Sequence, residues 1–332
     1  MKKTVVLAAA AAVVIAVGYA WRTVGAGGPA LPLRSIGDYP LSGNATRFDY
    51  ASLDAHGILW LAHMGDGAVV AFDVNAARVV RTLPISASAS VRGILAARGN
   101  VYAAAQGLGA IVVFDGSTGK RLAVVAAGDV DGLAYDPITG RIFVSDESGG
   151  RDTVIDGRTN RVVAAIKLDG EAGNTQYDSI SKHVFVAVQT RDELAEIDPA
   201  ALKVIRRYPL TGCRFAHSVV IDTAARAAYV GCQHNFRLVR LDLHSAHVTG
   251  SGAAGVGIDV LALDAAHHRL YVASESGVVS LYDVGDGALR RIAQGFLALH
   301  AHVVAVDPTT HRVYFPLENA GGAPVLRVME PR

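Results

Sequence analysis

One short run of residues returns seven times along the chain. "GILWLA", "GNVYAA", "GRIFVS", "KHVFVA", "RAAYVG", "HRLYVA" and "HRVYFP" each set an aromatic residue inside an apolar stretch. Those aromatics are Trp60, Tyr102, Phe143, Phe185, Tyr229, Tyr271 and Tyr314, spaced by 42, 41, 42, 44, 42 and 43 residues. A phase held over seven units restricts the chain to repeat architectures, in which each unit buries its apolar surface against its neighbours.

The units share an internal grammar. A first run such as "VDGLAYDP" or "HVVAVDP" ends in Asp, and a turn leads into the aromatic run. A third run ends at Asp73, Asp115, Asp156, Asp198, Asp242 or Asp283, and a fourth follows, such as "RVVAAIKL" or "KVIRRYPL". Short runs rich in Val, Ile and aromatics, punctuated by Gly, Asp, Asn and Pro, are strands joined by tight turns. The 35 glycines agree with many turns, and 51% hydrophobic residues suffice for a packed core. Nothing inside the units repeats every 3.6 residues, which excludes leucine-rich and helical repeats. Four strands per unit of this length predict a β-propeller blade.

The last unit has only three such runs, "VVAVD", "RVYFPL" and "PVLRVME". The missing fourth is found near the start, where "DYPLSG" at Asp38 repeats the "RYPLTG" that ends unit four at Arg207. Residues Leu33 to Leu41 are therefore expected to complete the last blade, pairing near Leu326 and covering an open sheet edge. The expectation is an all-β, seven-bladed β-propeller of four-stranded antiparallel blades over residues 33–332, closed by an N-terminal strand and monomeric.

With "RLYVAS", "HVFVAV" and "RIFVSD" as aromatic-Val cores, and "DPITGRIFV" and "DPTTHRVYF" as Asp-Pro turns before them, the chain resembles the YVTN-type seven-bladed β-propeller repeat family of exported bacterial proteins. It departs from that pattern where Ala, Ser, Gly or Pro replaces the motif's Asn, and unit two lacks the Asp-Pro turn. The resemblance implies binding and scaffolding roles, with one branch associated with nucleic acid and related propellers acting as lactonases.

Residues 1–26 read as an export leader, with Lys2 and Lys3 ahead of an uncharged stretch from Val5 to Ala20 and Arg22 behind it. Two readings stay open: a cleaved signal peptide, or an anchor retained through residues 5–20. Residues 27–32 form a short linker. Either way the propeller is expected in the periplasm or secreted, touching membrane only through an uncleaved leader. Loss of Lys2, Lys3 and Arg22 turns a formal charge of +1 into −2, so no uniformly basic surface suits a polyanion. Nucleic acid is accordingly not the expected partner, although the charge does not exclude a local basic patch and a nucleic-acid-binding propeller stays as a second alternative.

Repetition separates scaffold from site. The Asp closing each first strand (Asp54, Asp136, Asp178, Asp222, Asp264, Asp307) and each third strand recurs by phase, which assigns it to turn capping. Single-copy polar residues on the face holding the loops into first strands need another reason. Counting five residues back from each first-strand Asp, and from Ala96 in unit two, gives Asp49, Val91, Asp131, Gly173, His217, Asp259 and His302 as a ring at the channel mouth. Around it lie His63, Arg92, Gln106, Asp146, Glu147, Asn174, Gln189, Gln233, His234, Glu275, His300, Glu318 and Asn319, while His56, His183, His244, His247, His267, His268 and His311 fall on the opposite face.

The expected ligand-binding residues are Asp49, Arg92, Asp131, Asn174, His217, Asp259 and His302, taking a small polar ligand or a protein partner. No cofactor is expected. Were a divalent cation to bind, Asp49, His217, Asp259 and His302 are the candidates, since alternating imidazoles and carboxylates suit one. Cys213 and Cys232, on the same face of unit five, are expected to form a disulfide. The alternative is a Cys/His site with His217 and His234 for copper or zinc. A non-enzymatic binding propeller is the preferred reading; the competitor is a lactonase-like hydrolase or lyase, and no Gly-x-Ser-x-Gly elbow or serine nucleophile is present.

Overall fold

The computed structural model describes residues 30–332, and the leader read at 1–26, with the first half of the linker, lies outside them. Seven four-stranded antiparallel sheets follow one another around a ring. Blade three is typical, running Val130–Asp136, Arg141–Asp146, Arg151–Asp156 and Arg161–Lys167 from axis to rim. Among the described residues helix is limited to three 3-10 turns.

Burial follows radius. Second strands such as Ile58–His63 and third strands such as Ala68–Asp73 are buried on both faces, because each sheet stacks on the next. Fourth strands alternate, as Arg78–Pro84 does, because one side faces solvent at the rim. Each repeating aromatic is packed between blades: Trp60 shares a core cluster with Val91, Val101 and Val112 of the next blade, and Phe185 with Val219, Val230 and Val239. The 42-residue spacing is thus the spacing of one interlocking side chain per interface.

All twelve repeated aspartates accept a backbone N–H in the turn that follows, as Asp136 does from Ile138 at 2.9 Å and Asp156 from Arg158 at 2.8 Å. These turns end on a left-handed residue, which is why Gly140, at φ 73°, closes "DPITG".

The ring closes as the repeated "YPL" implied. Leu33–Pro40 pairs antiparallel with Ala323–Pro331, with Ser35 opposite Met329, Tyr39 opposite Leu326 and Pro40 opposite Val325. Asp38 accepts two hydrogen bonds from the Arg327 guanidinium at 2.8 and 2.6 Å. Ile36 is a bulge between Ser35 and Gly37 and stays exposed.

Candidate functional site

First strands line the channel, and near the mouth five of them slip register: between Val91 and Ile94, Val130 and Leu133, Ala172 and Thr175, Ala216 and Ser218, and Ile258 and Leu261. Bulges of this kind re-aim side chains, and here they turn Arg92, Asp131, His217 and Asp259 toward the axis. Adjacent first strands approach so closely that a Cβ on Gly173 would lie 2.4 Å from the His217 carbonyl oxygen, so blade four contributes no side chain at that position. Blades one and seven have short first strands, Ala51–Leu53 and Ala305–Val306, and Asp49 and His302 reach the mouth from the preceding loops.

One ring position read from the sequence is corrected. Val91 is fully buried between blades one and two, and Arg92 takes its place in the mouth. Blade two turns on Arg98 and Gly99 alone, with Ala97 opposite Asn100, so Ala97, not Ala96, stands where other blades have Asp.

The mouth is a cavity of about 370 Å³ with two tiers. Its floor holds Asp49, Asp131, His217 and Asp259, and His302 lies against Asp259 without lining the cavity; all five are buried. His302 Nδ1 lies 2.5 Å from Asp259 Oδ2, and His217 Nε2 lies 3.3 Å from Asp259 Oδ1, so one carboxylate sits between two imidazoles. The other nitrogen of His217 faces Gln189 Oε1 at 3.1 Å. Gln189 Nε2 donates to Glu147 at 2.9 Å and to the Ala172 carbonyl at 3.0 Å, which leaves Oε1 as an acceptor for the His217 ring. Both His217 nitrogens therefore face acceptors, the arrangement of an imidazolium.

The rim consists of two ion pairs. Arg47 forks onto Glu275 at 2.5 and 3.0 Å, and Arg92 Nη1 donates to Glu147 at 2.8 Å. These four side chains are partly exposed and lie between the floor and solvent.

Five carboxylates (Asp49, Asp131, Glu147, Asp259, Glu275) thus share the mouth with two guanidiniums and two imidazoles. The imbalance sets the protonation states. Burial, with the nearby Asp259 charge, pushes Asp49 up to about 8. Burial also raises Asp131 to about 6. Burial would raise Asp259 too, but the hydrogen bonds from His217 and His302 outweigh it and hold that carboxylate well below its usual range. Burial opposes charge on His217, yet Asp259, then Asp131 and Glu147, lift it to about 9. His302 is raised for the same reason, by Asp259 and Asp49 against burial.

Asp49, Asp259 and His302 bring one ligand atom each close enough together to be candidates for a shared divalent cation. Asn174 lies deeper: it accepts the Tyr50 hydroxyl hydrogen bond at 2.7 Å and faces the opposite end of the channel. Glu147, Gln233 and Glu275 line the mouth, with Gln189 behind. The remaining polar residues of that face are occupied elsewhere. His63 stacks on Phe48 at 4.1 Å, Gln106 donates to Asp129, Asp146 accepts the backbone N–H groups of Asp129 and Gly149, His234 stacks on Phe215 at 4.0 Å, His300 pairs with Glu318, and Asn319 caps Gly322. Cys213 and Cys232 form a disulfide with Cα atoms 5.2 Å apart, which leaves no thiolate for a Cys/His metal site. Arg47 and Tyr50 escaped the sequence count. Both flank Asp49 in "TRFDY", and extending the search two residues upstream of the ring would have reached the arginine.

No family model matches the chain, and no curated protein matches it. Solved structures share the fold. A chain of Kuenenia stuttgartiensis hydrazine synthase superposes with a TM-score of 0.73 at 12% identity, covering 89% of this chain and 97% of that one. Virginiamycin B lyase from Staphylococcus aureus gives a TM-score of 0.74 at 10% identity, covering 88% and 98%. At these identities the likeness establishes the seven-bladed propeller and nothing about the mouth.

Proposed function

We propose that the protein is a binding propeller, working outside the cytoplasm, whose channel mouth takes a small polar ligand carrying a cationic group. One observation carries this reading: five carboxylates line a cavity of about 370 Å³ against Arg47, Arg92 and His217, with His302 buried behind Asp259, and burial with the nearby Asp259 charge pushes Asp49 up to about 8. A bound cation would let Asp49 ionise and would recover the cost of burying it. The cavity is at the small end of ligand sites. Arg47 and Arg92, already paired with acids at the rim, suit closing over a ligand and meeting an anionic end of it.

The test is a thermal-shift panel of small amines, zwitterionic amino acids, neutral sugars and carboxylic acids. Amines and zwitterions are expected to raise the melting temperature, with the effect lost in Asp49→Asn and Asp131→Asn. Stabilisation confined to neutral or anionic compounds would overturn the reading, as would a panel without effect.

A second reading, a cation-assisted hydrolase or lyase, is favoured by the Asp49, Asp259 and His302 ligand atoms lying within 4.8 Å of one another. A propeller of the same fold is named as a lyase. Under this reading those three residues would hold the metal and His217 would carry the proton. Stoichiometric metal lost in Asp49→Asn/His302→Ala, with turnover of a lactone panel, would support it; a metal-free mouth and untouched lactones would remove it.

A further inference from the structure

Blade six bears, on the face away from the mouth, a side-chain group its sister blades lack. At Asp136, Asp178, Asp264 and Asp307 a side chain three residues further on donates back to the first-strand Asp. Three residues after Asp136 and Asp307 come Thr139 and Thr310, whose hydroxyls donate back to them, the second at 2.6 Å. Asp178 accepts from Ser181 at 2.6 Å, and the next blade adds Thr223 at 2.7 Å and the Arg226 guanidinium. At Asp264 both kinds of partner are histidines. His267 holds the three-residue position, and His311 of blade seven holds the place that Arg226 has in blade five.

The geometry is compact. His267 Nδ1 lies 3.0 Å from Asp264 Oδ2, and His311 Nδ1 lies 3.1 Å from both Asp264 oxygens. The two rings are 3.9 Å apart between centroids. Asp264 is 2% exposed and fixed from beneath by its strand, whereas the His267 side chain is half exposed.

We propose that Asp264, His267 and His311 form a binding site for a late first-row divalent cation of the zinc class, bridging blades six and seven. Three ligand atoms each about 2.0–2.2 Å from one ion stand about 3.0–3.4 Å apart, and the Asp264–imidazole separations of 3.0 and 3.1 Å already match. Two imidazoles with one carboxylate suit zinc, copper or nickel; magnesium and calcium prefer all-oxygen sets. The exposed side of His267 leaves room for water to complete the shell. Binding would release the imidazole N–H protons that otherwise point at Asp264, and would replace two hydrogen bonds with a clamp between blades.

The sister blades supply the controlling variant. His267→Thr with His311→Arg installs the pairs seen around Asp136 and Asp178, so the blade junction is kept while both nitrogen ligands go. Chelator-stripped full-length chain is titrated with Zn²⁺ by calorimetry and melted with and without the ion. One equivalent is expected to bind with a rise in melting temperature. In the double variant the site should weaken by on the order of 100-fold or vanish. Asp49→Asn/His302→Ala, in the mouth, should leave it intact, which separates this site from any ion bound there. His267→Ala provides a second, smaller deletion should the double variant misfold. Wild-type affinity in the ligand-deleted chain would overturn the proposal, as would no Zn²⁺ binding in the wild type, or binding abolished only by the mouth variants.

Discussion

The Tyr50 hydroxyl of blade one donates to Asn174 Oδ1 of blade four at 2.7 Å, a hydrogen bond that crosses the channel between residues 124 apart in the chain. Tyr50 lines the cavities on both sides, the mouth of about 370 Å³ and a second of about 640 Å³ at the other face. The pair is therefore a bar across the channel, and it makes the mouth a blind pocket. Tyr50→Phe removes the donor and strands a buried amide oxygen. The expected loss is about 1–2 kcal/mol of stability in chemical denaturation, with the fold unchanged by circular dichroism.

Asp49 bears the cost of the uncompensated charge. Asp49→Asn should raise stability at pH 8.5 by roughly 1 kcal/mol, because the amide never ionises in its buried seat. The same change should weaken binding of a stabilising amine by at least about tenfold. A gain in stability with unaltered amine binding would detach Asp49 from the ligand.

Stability should fall as the solution becomes alkaline. His217 titrates near 9 in the folded protein against 6.5 ordinarily, so its contribution is complete below 6.5 and lost as pH rises through 9. Asp49, raised from 3.8 to about 8, retains in the folded state a proton the unfolded chain has released, and its effect has the same sign over that interval. Melting temperature measured from pH 6.5 to 9 is expected to decline, and His217→Gln should flatten the upper part. A rising profile would contradict the charge assignment.

The seam can be tested against its own bulge. Leu33 is 3% exposed and packs with the core beside Val325 and Met329, whereas Ile36 is 36% exposed. Leu33→Ala should cost about 2–4 kcal/mol and Ile36→Ala under about 0.5 kcal/mol. Equal effects in urea denaturation would mean that the closing strand is not docked as described.

The Cys213–Cys232 disulfide joins residues 19 apart. Replacing both cysteines by alanine should cost on the order of 3 kcal/mol in the chain-entropy description. Free-thiol titration of the unfolded, unreduced chain should find none, and two reactive thiols would disprove the bridge.

The blade count, the strand order and the closing strand were legible in the residues because a blade is built by short-range rules. Alternating side chains, Asp-capped turns and one interlocking aromatic repeat at each interface, so their period survives in one dimension. The candidate mouth was legible only in part. Asp49, Asp131, His217, Asp259 and His302 share a phase that counting can find, whereas the slip from Val91 to Arg92 depends on a turn shortened to Arg98 and Gly99. Convergence on the axis was left to tertiary structure: the Arg47 fork onto Glu275, 228 residues away, and the Tyr50 bar to Asn174 exist because seven sheets close a circle and bring unrelated loops to one point. Periodicity specifies what each blade is. Which single-copy charges meet, and which of them must then hold a proton or a partner, is decided by the ring's closure and by the low dielectric of the space it encloses.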